Sequence, residues 1–510
     1  MVSRYHKKTL KSKGRFEMKK MVIIGGGIAG LSAGIFAQEN GFESIIFEKN
    51  HTMGGQCTGW NRKGYHIDNC IHWLTGSRKG SLNELWREVG ALSDEIEIFY
   101  PERFYTVEYQ GVQVSIYRDI ERTQKELLQL SPEDEKAIKE MCEVVRILAT
   151  VEMPTEKPME DLNLFDFIKL AKSMGAGGKV MMKYAKLSME DYANTFKHPA
   201  IRHLILDYMP ERYNASSYMF SLATFCSGNG GIPKGGSVQM VQRMVDHYLS
   251  LGGKIKKGYT AKQVHIQDGK AVEVEFENGD RVGGDAYILT MDSKVAFSKL
   301  IGEKYMDKPF RTWYENPQLY PVNSAVNLSF GVADPCKDIP ETLFFDCEGY
   351  QVGCSVKNRM SIKNYNYDEF GPEGHVVLQA SFDQVEKDYV FWKDLYKDKA
   401  SYEVEKKRIA QDAIERMEVK FPQLKGKIQS LDVVTPVSYE KWCGAYKGAY
   451  MSFIVTKAGK QMQSTGKIKG LDNVVLAGQW LMPPGGLPTA VVQGKFGVMR
   501  LMKKLGFKKD

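Results

Sequence analysis

Lys20-Met21-Val22-Ile23-Ile24-Gly25-Gly26-Gly27-Ile28-Ala29-Gly30-Leu31-Ser32-Ala33-Gly34-Ile35-Phe36-Ala37 opens with a short apolar run, turns on glycine, and then repeats apolar side chains at helical spacing. Gly41 stops the helix, and Ser44 to Phe47 is a second β-rich run that ends at Glu48, eighteen residues beyond Gly30. The order is strand, helix, strand, closed by an acid. In such a unit Gly25 permits the tight turn, Gly27 lets the backbone approach a pyrophosphate, and Gly30 allows close contact of helix and strand. The helix N-terminus, at Ile28 and Ala29, offers free amides to the anion. Glu48 suits a ribose hydroxyl pair, and its charge disfavours a 2′-phosphate, so the ligand expected from these residues is FAD or NAD.

Outward from this unit, Phe104 to Tyr117 alternates β-formers around Gln110-Gly111, a hairpin signal, and Ser131-Pro132-Glu133-Asp134 opens a helix with a cap, a proline and an acidic first turn. Val238 to Leu249 reads as a helix ended by Gly252-Gly253. Strands follow at Val264 to Ile266 and Val272 to Phe276, separated by Asp268-Gly269 and followed by the turn Asn278-Gly279. Ala286 to Thr290 is a buried strand, strand-like runs return between Val322 and Gln384, and Tyr402 to Val419 is a charged amphipathic helix. Asn473 to Ala477 is a last buried strand before a Gly/Pro turn and a closing helix.

The 510 residues carry 43% apolar and 26% charged side chains, the balance of an ordinary globular chain rather than a disordered or collagen-like one. Lysine and arginine exceed acids by eight overall, but Met1 to Lys20 alone carries an excess of seven, so the remainder is near neutral. Residues 1–17 therefore read as a basic tail ahead of a second start at Met18, and no basic face for nucleic acid is expected. Eight cysteines without a C-x-x-C pair, and no signal peptide, indicate reduced thiols in a cytoplasmic setting. No histidine spacing suggests a metal site. The two long uncharged stretches are broken by glycines or prolines and do not read as membrane spans.

What separates FAD from NAD is the continuation Glu48-Lys49-Asn50-His51-Thr52-Met53-Gly54-Gly55, which resembles the E-x5-GG extension of FAD-dependent amine oxidases and phytoene desaturases. Gly64-Tyr65-His66-Ile67-Asp68 is similar to that superfamily's G-Y-x-F-D segment, and Pro233-Lys234-Gly235-Gly236-Ser237 to its P-x-G-G-M turn. Leu476-Ala477-Gly478-Gln479-Trp480, followed by Pro484-Gly485-Gly486-Leu487-Pro488-Thr489-Ala490, resembles its A-G-D…P-G-G-x-P-G-A signature. Cys70-Ile71-His72-Trp73-Leu74 points within the group to the bacterial phytoene-desaturase type, carotenoid isomerases and retinol saturases.

The resemblance implies an α/β fold, with a Rossmann-like FAD-binding domain of the GR2 type and an inserted α+β substrate domain. The FAD part is expected at 18–100, 232–299 and 432–510, and the substrate part, with a helical subregion, at 101–231 and 300–431. By the same resemblance the cofactor set is Gly25, Gly27, Ile28, Ala29, Gly30, Glu48, Lys49, Gly54, Gly55, Gln56, Val264, Gly478, Gln479, Gly486, Leu487 and Pro488. Val264 would contact adenine by its backbone, and the turn through Gly486, Leu487 and Pro488 would meet the flavin pyrimidine edge.

Three positions depart from the family pattern: Gln56 stands for an arginine, Gln479 for an aspartate and Cys70 for a glycine. His72 is the catalytic candidate, a proton donor for alkene chemistry or else a histidine bonded to backbone. Lys234, Tyr439, Trp442, Tyr446 and Tyr450 are pocket candidates or simple core. Phe167 to Leu187 interleaves five lysines and no acid with apolar residues, as a surface helix or as a peripheral contact with the inner membrane face. The implied activity is hydride transfer between flavin and a C–C bond of an apolar polyene, isoprenoid or lipid, as desaturase, saturase or isomerase. An FAD amine oxidase and a non-catalytic prenyl carrier of the GDI or escort type are the alternatives. No second dinucleotide motif follows a strand, which leaves the electron partner open among oxygen, a quinone and transiently bound NAD(P)H.

Overall fold

The computed structural model describes residues 18–507; the basic tail at 1–17 lies outside the described residues. The strand Lys20–Ile24 (β1), the helix Ile28–Glu39 (α1) and the strand Glu43–Glu48 (β2) form the unit expected from the glycine run. β1 sits at the centre of a five-stranded parallel sheet in the order Val474–Leu476, Ala286–Leu289, β1, β2, Lys254–Lys257. Its register sets Val22 beside Tyr287 on one side and Ile45 on the other. A strand covered on both faces has no solvent side to spend polar residues on, which is why three of these strands are near-continuous apolar runs in the sequence. This Rossmann-like sheet is packed by α1, the helix Gly236–Ser250 and the closing helix Leu487–Lys504.

A second sheet has seven strands, in the order Ile428–Val434, Ser324–Val332, Val376–Gln384, Ser355–Asn364, Thr342–Val352, Arg103–Tyr109, Val112–Tyr117. All its pairs are antiparallel except the one joining Thr342–Val352 to Arg103–Tyr109. The residue-432 division falls within its first strand. The Gln110-Gly111 hairpin forms with both turn residues at positive φ, 49° and 80°, the geometry that matches strand twist. The back of this sheet, through Leu328, Phe330, Ile362, Leu378 and Phe382, shares a core with the helix Lys399–Lys420. A layer of helices between Ile120 and Cys226 forms a separate apolar cluster with Tyr105, Val107 and Ile116.

The lysine-rich run becomes the helix Leu164–Tyr184, with a capping box at Asn163 and Asp166 and a break at Gly175, whose φ of 34° and ψ of −120° are not helical. Among the described residues, no helix is long and apolar enough to cross a membrane.

Candidate active site

The glycines of the first turn are required for distinct reasons. Gly25 has φ +107°, and a β-carbon there would lie 2.5 Å from Thr290 Oγ1. At Gly30 a β-carbon would lie 1.9 Å from the Gly25 carbonyl oxygen, so the residue is what lets α1 press on the turn. At Gly27 the nearest atom to such a carbon is Gly54 O at 3.6 Å, so the protein itself does not fill this space. Gly27 caps α1 without any side-chain hydrogen bond, and Gly25, Gly27, Ile28 and Ala29 line a cavity of about 1770 Å³. The glycine pair stacks a second turn on the first: Gly54 N–H donates to Gly26 O at 2.8 Å, and a β-carbon on Gly55 would sit 3.3 Å from Gly27 Cα.

Glu48 is 5% exposed, and its carboxylate accepts from Gly26 N–H at 2.7 Å and Asn50 N–H at 2.9 Å. It ties the glycine turn to the end of β2 before any ligand is considered. With about four lone-pair sites on a carboxylate, two remain for hydroxyls. Lys49 Nζ donates to Lys441 O at 2.8 Å, Asn50 Nδ2 to Trp442 O at 3.1 Å, and Trp442 Nε1 to Gly55 O at 2.9 Å, strapping the 441–442 segment across this end. Burial lowers the Lys49 pKa from its usual range.

From the other end of the chain come Gly478, Gln479 and the turn at Gly486, all on the same cavity. Gln56 Nε2 donates to Ala449 O at 2.8 Å, Gln479 Nε2 to Gln56 Oε1 at 3.0 Å, and Gly486 N–H to Gln479 Oε1 at 3.0 Å. The two glutamines that depart from the family pattern are therefore partners. A neutral amide chain joins the Gly54-Gly55 turn to the Gly485-Gly486 turn. The closing helix begins at Leu487 behind Gly486, at φ +93° and again without a side-chain cap. Gly494 lets it cross α1 closely, since a β-carbon would lie 2.4 Å from Ala29 O, and Ser32 Oγ donates to Val491 O at 2.7 Å. Two uncapped helix N-termini thus open on one cavity, whose volume exceeds the roughly 300–1,000 Å³ of a single drug-sized pocket. Amide-rich turns, an acid with spare acceptor capacity and this volume fit an extended dinucleotide such as FAD.

Two members of the expected set do not line the cavity: Gly30, which backs the first turn, and Val264. Val264 is buried in the core with Val22, Ile24 and Phe47, and the nearby cavity wall is formed by Tyr259, Thr260 and Ala261 just upstream. Tyr439, Trp442 and Tyr450 line the cavity. Tyr446 packs edge-on against Tyr314, and Lys234 is on the surface with Glu97 and Glu369.

The segment after Gly64-Tyr65-His66-Ile67-Asp68 is held by Asp68, which accepts from the amides of Cys70, Ile71 and Ser237 and from Ser237 Oγ. A β-carbon on Gly236 would fall 2.0 Å from the Asp68 carboxylate. The two motifs therefore describe a single contact, an acid at the N-terminus of the helix Gly236–Ser250. Beyond it, Cys70 and His72 reach the cavity wall. His72 shows surface, but that surface belongs to the cavity, and the surrounding protein drives its imidazole down to about 3. It is neutral near pH 7 and poorly suited to act as an imidazolium donor. Its carbonyl accepts from Lys363 Nζ at 2.7 Å, and burial holds that lysine down to about 7. The sequence reading missed Lys363; the signal available was its alternation with Ser361 between the buried Met360, Ile362 and Asn364.

A parallel sheet with a glycine-turn dinucleotide cradle, faced by a second sheet, defines an FAD-dependent oxidoreductase. Residues 28–502 match the flavin containing amine oxidoreductase family, and the chain belongs to it. It is 26% identical to the 4,4'-diapolycopen-4-al dehydrogenase of Metabacillus indicus, covering 95% of this chain and 97% of that protein. It is 23% identical to the chloroplastic prolycopene isomerase of Daucus carota, covering 86% and 72% respectively. Its fold is similar to that of cyclohexylamine oxidase from Brevibacterium oxydans, with a TM-score of 0.57 at 12% identity, covering 96% of this chain and 100% of that one.

Proposed function

We propose that this oxidoreductase acts on a C–C bond of an apolar polyene, isoprenoid or lipid, as a desaturase, saturase or isomerase. The observation that carries the reading is the cavity itself. Its lining joins the glycine turns, His72 and Lys363 with the apolar side chains of Leu148, Met153, Met181, Phe220 and Phe225. The names of the carotenoid-type relatives support the same substrate class.

FAD, when bound, supplies reversible two-electron transfer. The amides at Gly27, Ile28 and Ala29 would hold its pyrophosphate and Glu48 its ribose, with Gly54 and Gly55 giving room beside them. The turn through Gly486, Leu487 and Pro488 would place backbone amide and helix dipole where they favour negative charge. Gln56, Gln479 and Gly478 keep that turn in place. The cofactor-binding part of the chain is assigned to 18–100, 232–299 and 432–510, and the substrate part to 101–231 and 300–431.

Peripheral contact with a membrane belongs to the same proposal. The helix Leu164–Tyr184 leaves Leu164 79%, Phe165 80%, Phe167 52% and Met182 64% exposed, with Lys172, Lys179 and Lys183 along it, and Met174, Met181 and Met182 reach the cavity. A lipid-soluble substrate would enter there. The test is anaerobic titration of the yellow holoprotein with polyenes, unsaturated lipids and amines, and with NAD(P)H alone. Flavin bleaching or a spectral shift with a polyene supports the proposal, and bleaching by amines only overturns it.

A further inference from the structure

Part of the cavity lining is not what a hydrocarbon requires. Strands of the seven-stranded sheet alternate, and one set of residues, among them Leu328, Phe330, Leu378 and Phe382, packs backwards into the core. The other set lines the cavity, with the polar Asn327, Ser361, Lys363, Gln379, Ser381 and Asp383 beside the apolar Ala325 and Phe344. With a period of two, each of these positions is free to be apolar, as its neighbours are.

Most of this polar face is already occupied. Gln379 Nε2 donates to Asp68 O at 2.7 Å, and its Oε1 accepts from Tyr365 at 2.7 Å. Asn327 Nδ2 donates to Tyr439, whose hydroxyl donates to Asn69 Oδ1 at 3.0 Å. Asp383 accepts from Tyr450 at 3.1 Å. Lys363 differs, since its ammonium has three donors and one hydrogen-bond acceptor, the His72 carbonyl at 2.7 Å, with the Tyr365 ring centroid 5.4 Å away. Asp68 and Glu341 favour its charge from a distance. A bare hydrocarbon seated on this wall would strip water from the lysine and return nothing, whereas an acceptor oxygen would replace that water.

We infer that the substrate is an apolar chain carrying a carbonyl or carboxylate oxygen, and that Lys363 is the specificity residue that receives this oxygen. The inference rests on the polyene reading above and narrows it. Gln379, paired across the sheet with Lys363, anchors the position by holding the Asp68 carbonyl.

The experiment is equilibrium binding to the FAD-loaded protein, read as quenching of intrinsic fluorescence, with all-trans-retinoic acid, all-trans-retinal and the matching hydrocarbon axerophtene. Wild-type protein should bind the two oxygenated probes about tenfold or more tighter than the hydrocarbon, a difference of about 1.4 kcal/mol. Lys363→Met should remove that preference and leave the hydrocarbon within about twofold of wild type. Lys363→Gln, which keeps a donor, should retain part of it. Flavin content and melting temperature are recorded for each variant, and if the methionine variant does not fold, the glutamine variant and the wild-type ranking decide. Equal binding of all three probes by wild type overturns the inference. So does a Lys363→Met variant that weakens all three alike or that changes the flavin spectrum without ligand, because the lysine would then serve packing or the cofactor. If no polyene binds and only amines reduce the flavin, the polyene reading fails first.

Discussion

At the residue scale, Gly27 and Gly30 differ by only three positions yet do opposite things. An alanine at Gly30 has nowhere to go, because Gly25 O would be 1.9 Å from its β-carbon and both atoms belong to backbone. Gly30→Ala is expected to cost about 3 kcal/mol of stability, measured by denaturant unfolding. Gly27→Ala meets no protein atom nearer than 3.6 Å, so it should fold normally while FAD affinity drops, read by flavin fluorescence on titration of the apoprotein. Lys363 makes a pH prediction. Its pKa is about 7 in the fold against 10.5 ordinarily, so between those values the unfolded chain holds a proton that the native chain has shed, and native stability rises with pH. Below about 7 the cost of the buried charge is undiminished. His72, at about 3, does not titrate in that window, and Asp68 and Glu341 act on Lys363 in the direction of the charged form. The melting-temperature gain of Lys363→Met over wild type should therefore be larger at pH 6 than at pH 10. An unchanged difference would mean the lysine titrates near its ordinary value.

At the element scale, the sheet and turns explain which parts of the site were legible beforehand. β1, α1 and β2 are local: their glycines are demanded by backbone geometry within thirty residues, so the pattern carries its own reason. Asp68 and Gly236 were legible only as separate motifs, because their contact joins positions that the chain separates by 168 residues. Lys363 was missed, and the place of the Val264 side chain in the core was not legible, for a related reason. Whether a strand's odd or even residues meet a cavity depends on what covers each face, and that is decided by distant segments. The Gln56–Gln479 pair is likewise visible only in three dimensions. A double-mutant cycle is expected to give about 1 kcal/mol of coupling in FAD affinity between Gln56→Ala and Gln479→Ala. Additive losses would mean the amide chain does not persist in the holoprotein. Asp68→Ala, which removes the partner of three amides and a hydroxyl, should cost about 2 kcal/mol or more in unfolding free energy.

At the scale of the whole molecule, two surfaces meet over one cavity, and the helix Leu164–Tyr184 offers the same cavity an apolar, lysine-flanked rim. Phe165→Glu should lower the protein's partition onto vesicles containing anionic lipid, measured by sedimentation, by about fivefold or more, and leave its melting temperature within about a degree, since an 80% exposed ring contributes little to the core. Equal partitioning would remove the membrane contact from the account without touching the cofactor site. The central claim is that turns from opposite ends of the chain grip the same FAD. Hydrogen exchange of the apoprotein and the FAD-loaded protein, followed by mass spectrometry, tests it without any substitution. FAD should slow exchange both in the peptide spanning Gly25 to Leu31 and in the one spanning Gly485 to Ala490. Protection of the first peptide alone, with the second exchanging at its apoprotein rate, would contradict the account.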